Sequence, residues 1–101
     1  MGVGIAHHFS GGVYIKEAHL TRGHGVEQHS HEHDHPAVLV YGTVRLFVED
    51  EPSRILTGFN VIKIAAHKRH RVEVITDALW LCIWPTDDTD PETVDQTILK
   101  G

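Results

Sequence analysis

Histidines occupy every second position at the centre of the stretch from residue 23 to residue 42, GHGVEQHSHEHDHPAVLVYG; they are His29, His31, His33 and His35. In a β-strand, side chains two residues apart point to the same face of the sheet, so such a run can aim several imidazoles at one point. Neutral imidazole is the commonest side-chain metal ligand and suits Zn, Cu, Fe and Ni. The run therefore predicts a transition-metal site. Taken alone, it is equally compatible with a polar loop that takes up metal non-specifically, as an affinity tag does.

The rest of the chain is rich in strand signals. Runs of β-branched and aromatic residues, separated by turns rich in Gly, Asp and Pro, predict strands over residues 13–20, 26–31, 36–41, 43–48, 53–56, 61–65, 70–76 and 78–84. About eight or nine short strands at this spacing are typical of an all-β sandwich or barrel. Asp90-Pro91-Glu92 predicts a short C-terminal helical turn, because Asp is a good N-cap and Pro suits the first helical position.

Size and composition exclude several classes of protein. The 101 residues fit one domain, residues 1–101, because a second would be too small to bury a core. The net charge of −5 argues against non-specific nucleic-acid binding. Cys82 is the lone cysteine, so no intrachain disulfide is possible, and no secretory signal or membrane-spanning apolar run is recognisable. A cytoplasmic protein without a membrane or nucleic-acid partner is expected.

The spacing within the histidine-rich stretch resembles the first motif of the cupin family. That motif is Gly, five residues, His-x-His, three or four residues, Glu, six residues and Gly. Here Gly23, His29, His31, His35 and Gly42 match every spacing, with His35 in the place of the glutamate. The resemblance implies a small double-sheet jelly-roll barrel of the cupin 2 type.

The second cupin motif is matched less closely. Gly58 opens it and His70 closes it one residue late, whereas Ala65 and Ala66 stand in the Pro and Gly framework and Val74 in the asparagine position. By resemblance, the metal ligands are His29, His31, His35 and His70, an all-histidine variant that would hold Fe, Mn, Ni, Zn or Cu. Four neutral ligands leave the full +2 charge on the ion, which makes it a stronger Lewis acid. His33 is expected in a hairpin loop outside the ligand set.

Candidate pocket residues follow from strand parity. Tyr41 has the same parity as His35 and is expected to line the barrel interior with Ala37 and Leu39. Trp80, Cys82 and Trp84 share one parity, and if it faces inward they form a wall beside the metal. The alternative for Cys82 is a small buried hydrophobe. The substrate-pocket candidates are thus Tyr41, Trp80 and Cys82. Weaker candidates are Arg45 and Lys63 as anion partners, and Glu27, Glu73 and Tyr41 as general bases; His7, His8, His19 and His24 are expected at the surface.

Three functions are compatible with these features. The first is a metal-dependent enzyme, such as an oxygenase, acting on a small oxygen-rich molecule. The second is a non-catalytic module that binds metal or a small ligand, and the third is a structural protein with a relict site. Because an open sheet edge needs to be covered, a homodimer paired through edge strands is also expected.

Overall fold

The computed structural model describes residues 3–28 and 33–94, and these form nine β-strands. The strands are β1 (Val3–Ser10), β2 (Val13–Leu20), β3 (Gly25–Gln28), β4 (His35–Tyr41), β5 (Thr43–Val48), β6 (Arg54–Thr57), β7 (Asn60–Ile64), β8 (His70–Val74) and β9 (Ala78–Pro85). A five-stranded sheet has the order β1-β2-β9-β4-β7, and a four-stranded sheet has the order β3-β8-β5-β6. The strand pairs are antiparallel. The predicted all-β, double-sheet jelly-roll barrel is confirmed.

The core lies between the two sheets and is built by strict alternation. In β9, Ala78, Trp80, Cys82 and Trp84 are buried, and the residues between them are only partly covered. In β8 the buried positions alternate with exposed Arg and Glu residues. Side chains from both sheets form one buried hydrophobic cluster. Burying this apolar surface is the main force that holds the sheets together.

Strand β1 was not predicted from the sequence. Its glycine and histidines are not among the residues enriched in strands, so its composition does not indicate a strand. The strand forms through its partner, because all of its residues pair with β2, from Val3 opposite Leu20 to Ser10 opposite Val13. Gly11 and Gly12 connect the two strands with positive φ values of 58° and 78°. Two successive positive φ values are the signature of the tight turn that best matches the twist of a hairpin.

The predicted C-terminal helical turn is described only at its start. The Asp90 carboxylate accepts a hydrogen bond from the Glu92 amide at 2.9 Å, and the Asp90 carbonyl accepts one from the Val94 amide at 2.9 Å. This is the geometry of a helix N-cap. Val94 is fully buried, and the continuation lies outside the described residues, so the helical turn remains a prediction. In the part of the chain that the structure describes, no helix is long and apolar enough to span a bilayer.

A carboxylate on the outer face of the β1–β2 hairpin bridges two histidines. Nε2 of His8 donates to Glu17 at 2.8 Å, and Nε2 of His19 donates to the other oxygen of the same carboxylate. The hydrogen bonds from His19 and then His8 lower the pKa of Glu17. Because the folded-state pKa lies below the unfolded one, this stabilisation is present above the unfolded pKa and is lost as the pH falls through the folded value.

Glu17→Gln is therefore expected to lower the urea midpoint of unfolding modestly at about pH 7 and by less at about pH 3. The effect is small because the side chains of His8 and His19 are each 53% exposed, so solvent screens the pairs. The matched control is Glu73→Gln, the same change at an exposed position of β8. A deficit of equal size at both pH values would contradict the assignment.

Candidate metal centre

Two buried histidines face each other from opposite sheets. His35 begins β4 and His70 begins β8, and they are 2% and 3% exposed. Their ring centroids lie 6.2 Å apart. Two imidazoles that bind one ion through nitrogens at 2.0–2.1 Å have centroids no more than about 6.5 Å apart. The separation of His35 and His70 lies within this limit.

The orientation of the His35 ring suits a metal ligand. Its Nδ1 lies 3.2 Å from the carbonyl oxygen of Pro36. Because a carbonyl oxygen only accepts hydrogen bonds, this contact places the proton on Nδ1 and leaves the lone pair of the neutral ring on Nε2. Metal-binding histidines commonly donate their other ring N–H to such an acceptor. The Trp84 ring, with its centroid 4.2 Å from that of His35, packs against the imidazole.

Two of the four predicted ligands, His29 and His31, lie outside the described residues. The described chain stops at Gln28, which pairs with His70 across β3 and β8, and resumes at His33. His33 is exposed and precedes β4. Among residues 3–28 and 33–94, no group of three or more His, Cys, Asp or Glu side chains is arranged to hold a metal. The two predicted ligands that the structure describes, His35 and His70, lie together.

The inward face of β9 forms a wall beside this pair. Trp80 and Cys82 are both 2% exposed, and Nε1 of Trp80 donates to Sγ of Cys82 at 3.1 Å. Cys82 pairs with Ala37, which is two residues from His35 in β4. The parity of Trp80, Cys82 and Trp84 therefore faces the barrel interior. Contact of Trp80 or Cys82 with a substrate stays a prediction.

The expectation that Tyr41 lines the interior is wrong. The pairing of β4 with β9 shifts register between Leu39 and Tyr41, and this irregularity turns the Tyr41 side chain outward, where it is 51% exposed. Lys63 also lies outside, 72% exposed and paired with Asp34 at 3.1 Å. Arg45 alternates with buried Val44 and Leu46 on β5 and so lies on the outer face. Neither candidate anion partner lies beside His35 and His70.

Two inward-facing groups were missed in the sequence. Lys16 is half-buried, pairs with Cys82 and shares the inward parity of Tyr14 and Ala18. The alternation along β2 carried this signal. His7 was expected to be solvated, but it is half-buried with Nδ1 2.7 Å from the Tyr14 hydroxyl. Nothing in the local sequence indicated this pair, because it depends on the pairing of β1 with β2.

A surface depression of about 260 Å³ reaches His70 from the four-stranded sheet. Residues of β5 and β8 and their neighbours line it: Phe47, Val48, Glu49, Arg69, His70 and Arg71. The Arg71 guanidinium lies 4.1 Å from the centroid of the Phe47 ring, in a cation–π contact. The lining thus contains two arginines and one glutamate, and Arg71 belongs to the exposed outer face of β8, opposite to buried His70.

Comparison with known proteins identifies the fold. No protein-family model matches the sequence, and no curated protein matches it. Solved structures, by contrast, do match this chain. A cupin superfamily protein from Desulfitobacterium hafniense is 21% identical with a TM-score of 0.72, over 84% of this chain and 78% of that one. A cupin 2 domain-containing protein from Halorhodospira halophila is 18% identical with a TM-score of 0.74, over 94% and 75%.

An enzyme is among the similar structures. The DMSP lyase DddQ from Ruegeria pomeroyi is 13% identical with a TM-score of 0.72, over 88% of this chain and 49% of that one. At these identities the likeness concerns the fold. The chain folds as a small cupin, as the resemblance of its histidine motif implied.

Proposed function

We propose that this small cupin binds one divalent transition metal through His29, His31, His35 and His70. The observation that carries the proposal is the buried pair of His35 and His70, which come from opposite sheets with ring centroids 6.2 Å apart. The described chain ends at Gln28, which pairs with His70, and resumes at His33, two residues before His35. Zn, Cu, Fe and Ni suit imidazole ligands, and Mn suits a site that also offers oxygen ligands such as water.

The side-chain parity of strand β3 sets a condition for ligation by His29 and His31. Val26 pairs with Val72, and Gln28 pairs with His70. Because side chains alternate along a strand, the positions of His29 and His31 have the opposite parity to these paired residues. Ligation by both therefore requires an irregularity, such as a β-bulge, after Gln28.

The residues around the pair define what the site does with a metal. When bound, the ion supplies a Lewis acid that polarises an oxygen-containing ligand. The Pro36 carbonyl holds the proton on His35 Nδ1, and the Trp84 ring limits rotation of the imidazole. Trp80 and Cys82 keep the interior apolar on one side. Because four neutral imidazoles leave the full +2 charge on the ion, an anionic, oxygen-rich small molecule suits the site.

Two activities remain in competition for this site. The preferred one is a metal-dependent enzyme, such as an oxygenase, and the cupin fold of a lyase supports the idea that such a barrel can host catalysis. The alternative is a module that binds metal or a small ligand without catalysis. It is favoured by one observation: no Asp, Glu, Lys or Arg side chain that the structure describes is buried with His35 and His70.

Metal loading followed by a substrate screen tests the proposal. Untagged protein is dialysed with each candidate metal and analysed by elemental analysis, and one metal per chain is expected. Oxygen uptake is then measured with Fe(II) or Mn(II) and diketone or catechol-like substrates. Turnover supports the enzyme, and stoichiometric metal without turnover supports the binding module. Absence of bound metal contradicts the proposal.

We also propose a homodimer. The edges of the five-stranded sheet are β1 and β7, and β1 offers an eight-residue edge with exposed Ile5. An unpaired edge of this length invites pairing with another strand. Light scattering at micromolar concentration is expected to give twice the mass of the chain, and a monomer would contradict this expectation.

A further inference from the structure

A row of aromatic rings connects the candidate metal centre to the β1–β2 hairpin. The centroid of His35 lies 4.2 Å from that of Trp84, and Trp84 stacks on Tyr14 with centroids 5.9 Å apart. Tyr14 in turn stacks on His7 with centroids 5.8 Å apart. Tyr14 is 0% exposed and Trp84 is 5% exposed, whereas His7 is only half-buried. The row therefore leads from the barrel interior toward the surface.

The end of this row has the chemistry of a redox-active tyrosine. The pKa of an ordinary phenol is about 10, but a phenol that loses an electron becomes a strong acid and must lose its proton at the same time. The Tyr14 hydroxyl can donate to Nδ1 of His7, which lies 2.7 Å away. A neutral imidazole is a suitable acceptor for this proton. Trp84 lies between Tyr14 and His35 and can pass the electron on.

We propose that Trp84, Tyr14 and His7 form a relay that carries an oxidising equivalent away from His35. The oxidant is hydrogen peroxide activated by a bound redox-active metal, iron or copper. Hydrogen peroxide takes up two electrons and two solvent protons as its O–O bond breaks, and becomes two water molecules. One electron comes from oxidation of the bound metal ion by one unit, and the other comes from Tyr14 by way of Trp84. The phenol proton of Tyr14 passes to Nδ1 of His7. A neutral tyrosyl radical at Tyr14 is the result. The relay keeps oxidation away from His35 and from Cys82.

The metal end of the relay and its protein steps are supported by different observations. The starting point at the metal rests on the proposed function. The steps from Trp84 to Tyr14 and from Tyr14 to His7 rest on the packing and hydrogen bond alone. The experiment therefore has one arm without metal and one with it.

The chain offers a matched control for each member of the relay. It contains two tyrosines and two tryptophans, so Tyr41→Phe controls for Tyr14→Phe, and Trp80→Phe controls for Trp84→Phe. His8→Ala controls for His7→Ala, because the neighbouring residue His8 points to the outer face and pairs with Glu17. The aromatic replacements preserve the stacked rings, and circular dichroism verifies that each variant is folded.

In the arm without metal, an ultraviolet flash ejects an electron from tryptophan, and nitrous oxide scavenges the ejected electron. The conversion of the indolyl radical into a tyrosyl radical is then followed by absorption. It is expected in the parent protein, in Tyr41→Phe and in Trp80→Phe, and to be lost in Tyr14→Phe and Trp84→Phe. His7→Ala is expected to slow it at least about tenfold relative to His8→Ala. A tyrosyl radical that persists in Tyr14→Phe, or equal rates in the two histidine variants, would overturn the relay.

In the arm with metal, protein loaded with iron or copper is mixed with hydrogen peroxide and frozen rapidly for electron paramagnetic resonance. A tyrosyl signal is expected in Tyr41→Phe and not in Tyr14→Phe. If metal-loaded protein gives no tyrosyl signal, the relay does not carry oxidising equivalents away from the metal centre. Protein that binds no metal contradicts the proposed function, and the flash-photolysis result alone then decides on the relay.

Discussion

Alanine at His35 or His70 is expected to lower the affinity for the divalent metal by more than about a hundredfold, because loss of a residue that merely supports a ligand typically costs 10–100-fold. Both residues are buried and face each other across the barrel, so no solvent-exposed side chain replaces them easily. The measurement is the dissociation constant of the metal by competition with a chelator. The increase in melting temperature on adding metal should fall in parallel, since a ligand that binds only the folded state stabilises it by mass action.

The controls are His8→Ala and His19→Ala. These residues also form a histidine–carboxylate cluster, but it lies on the outer face and is exposed. They are expected to leave the affinity unchanged. If all four variants bind metal equally well, the buried pair is not the metal site. If the outer variants alone lose affinity, metal binding belongs to the outer face and the proposed function fails.

Replacing Gly42 with alanine is expected to destabilise the fold by about 3 kcal/mol or more and to lower the melting temperature by roughly 10–20 °C. The residue has a φ of 95°, and an added Cβ would lie 2.4 Å from the carbonyl oxygen of Asp77 and 2.6 Å from Cα of Ala78. The obstructing atoms belong to the backbone and to a buried residue of β9, so they cannot move aside without disturbing the core.

Gly23→Ala separates the overlap from the strain of a positive φ. Gly23 has a φ of 84°, but an added Cβ would meet nothing within 4 Å. Its replacement is expected to cost only about 1–2 kcal/mol. Thermal unfolding of the two variants side by side is the measurement. Equal losses of stability in the two variants would show that the close approach of Gly42 to Asp77 and Ala78 does not contribute to the effect.

The fold was largely predictable because apolar and polar residues alternate along most of the strands. β9 reads as buried and partly exposed positions in turn, and its predicted range of 78–84 differs from Ala78–Pro85 by one residue. Where alternation was interrupted, prediction was wrong. Tyr41 follows a register shift that no residue type announces, and β1 depends on contacts with β2 rather than on its own composition.

The candidate site was predictable only in part, for a related reason. His35 and His70 were selected through a spacing that resembles a family motif, and the structure places them together. Lys16 was overlooked although its parity was visible in β2. The pairing of His7 with Tyr14 was not predictable, because it joins residues of two strands whose register only the fold defines.

The most direct test of the metal site is an anomalous-difference map from crystals of the protein grown with the bound metal. One peak is expected between the imidazoles of His35 and His70, with metal–nitrogen bonds of about 2.0–2.2 Å to them and to His29 and His31. A peak bound by His33 and not by His35, or a peak confined to His8, Glu17 and His19 on the outer face, would contradict the account.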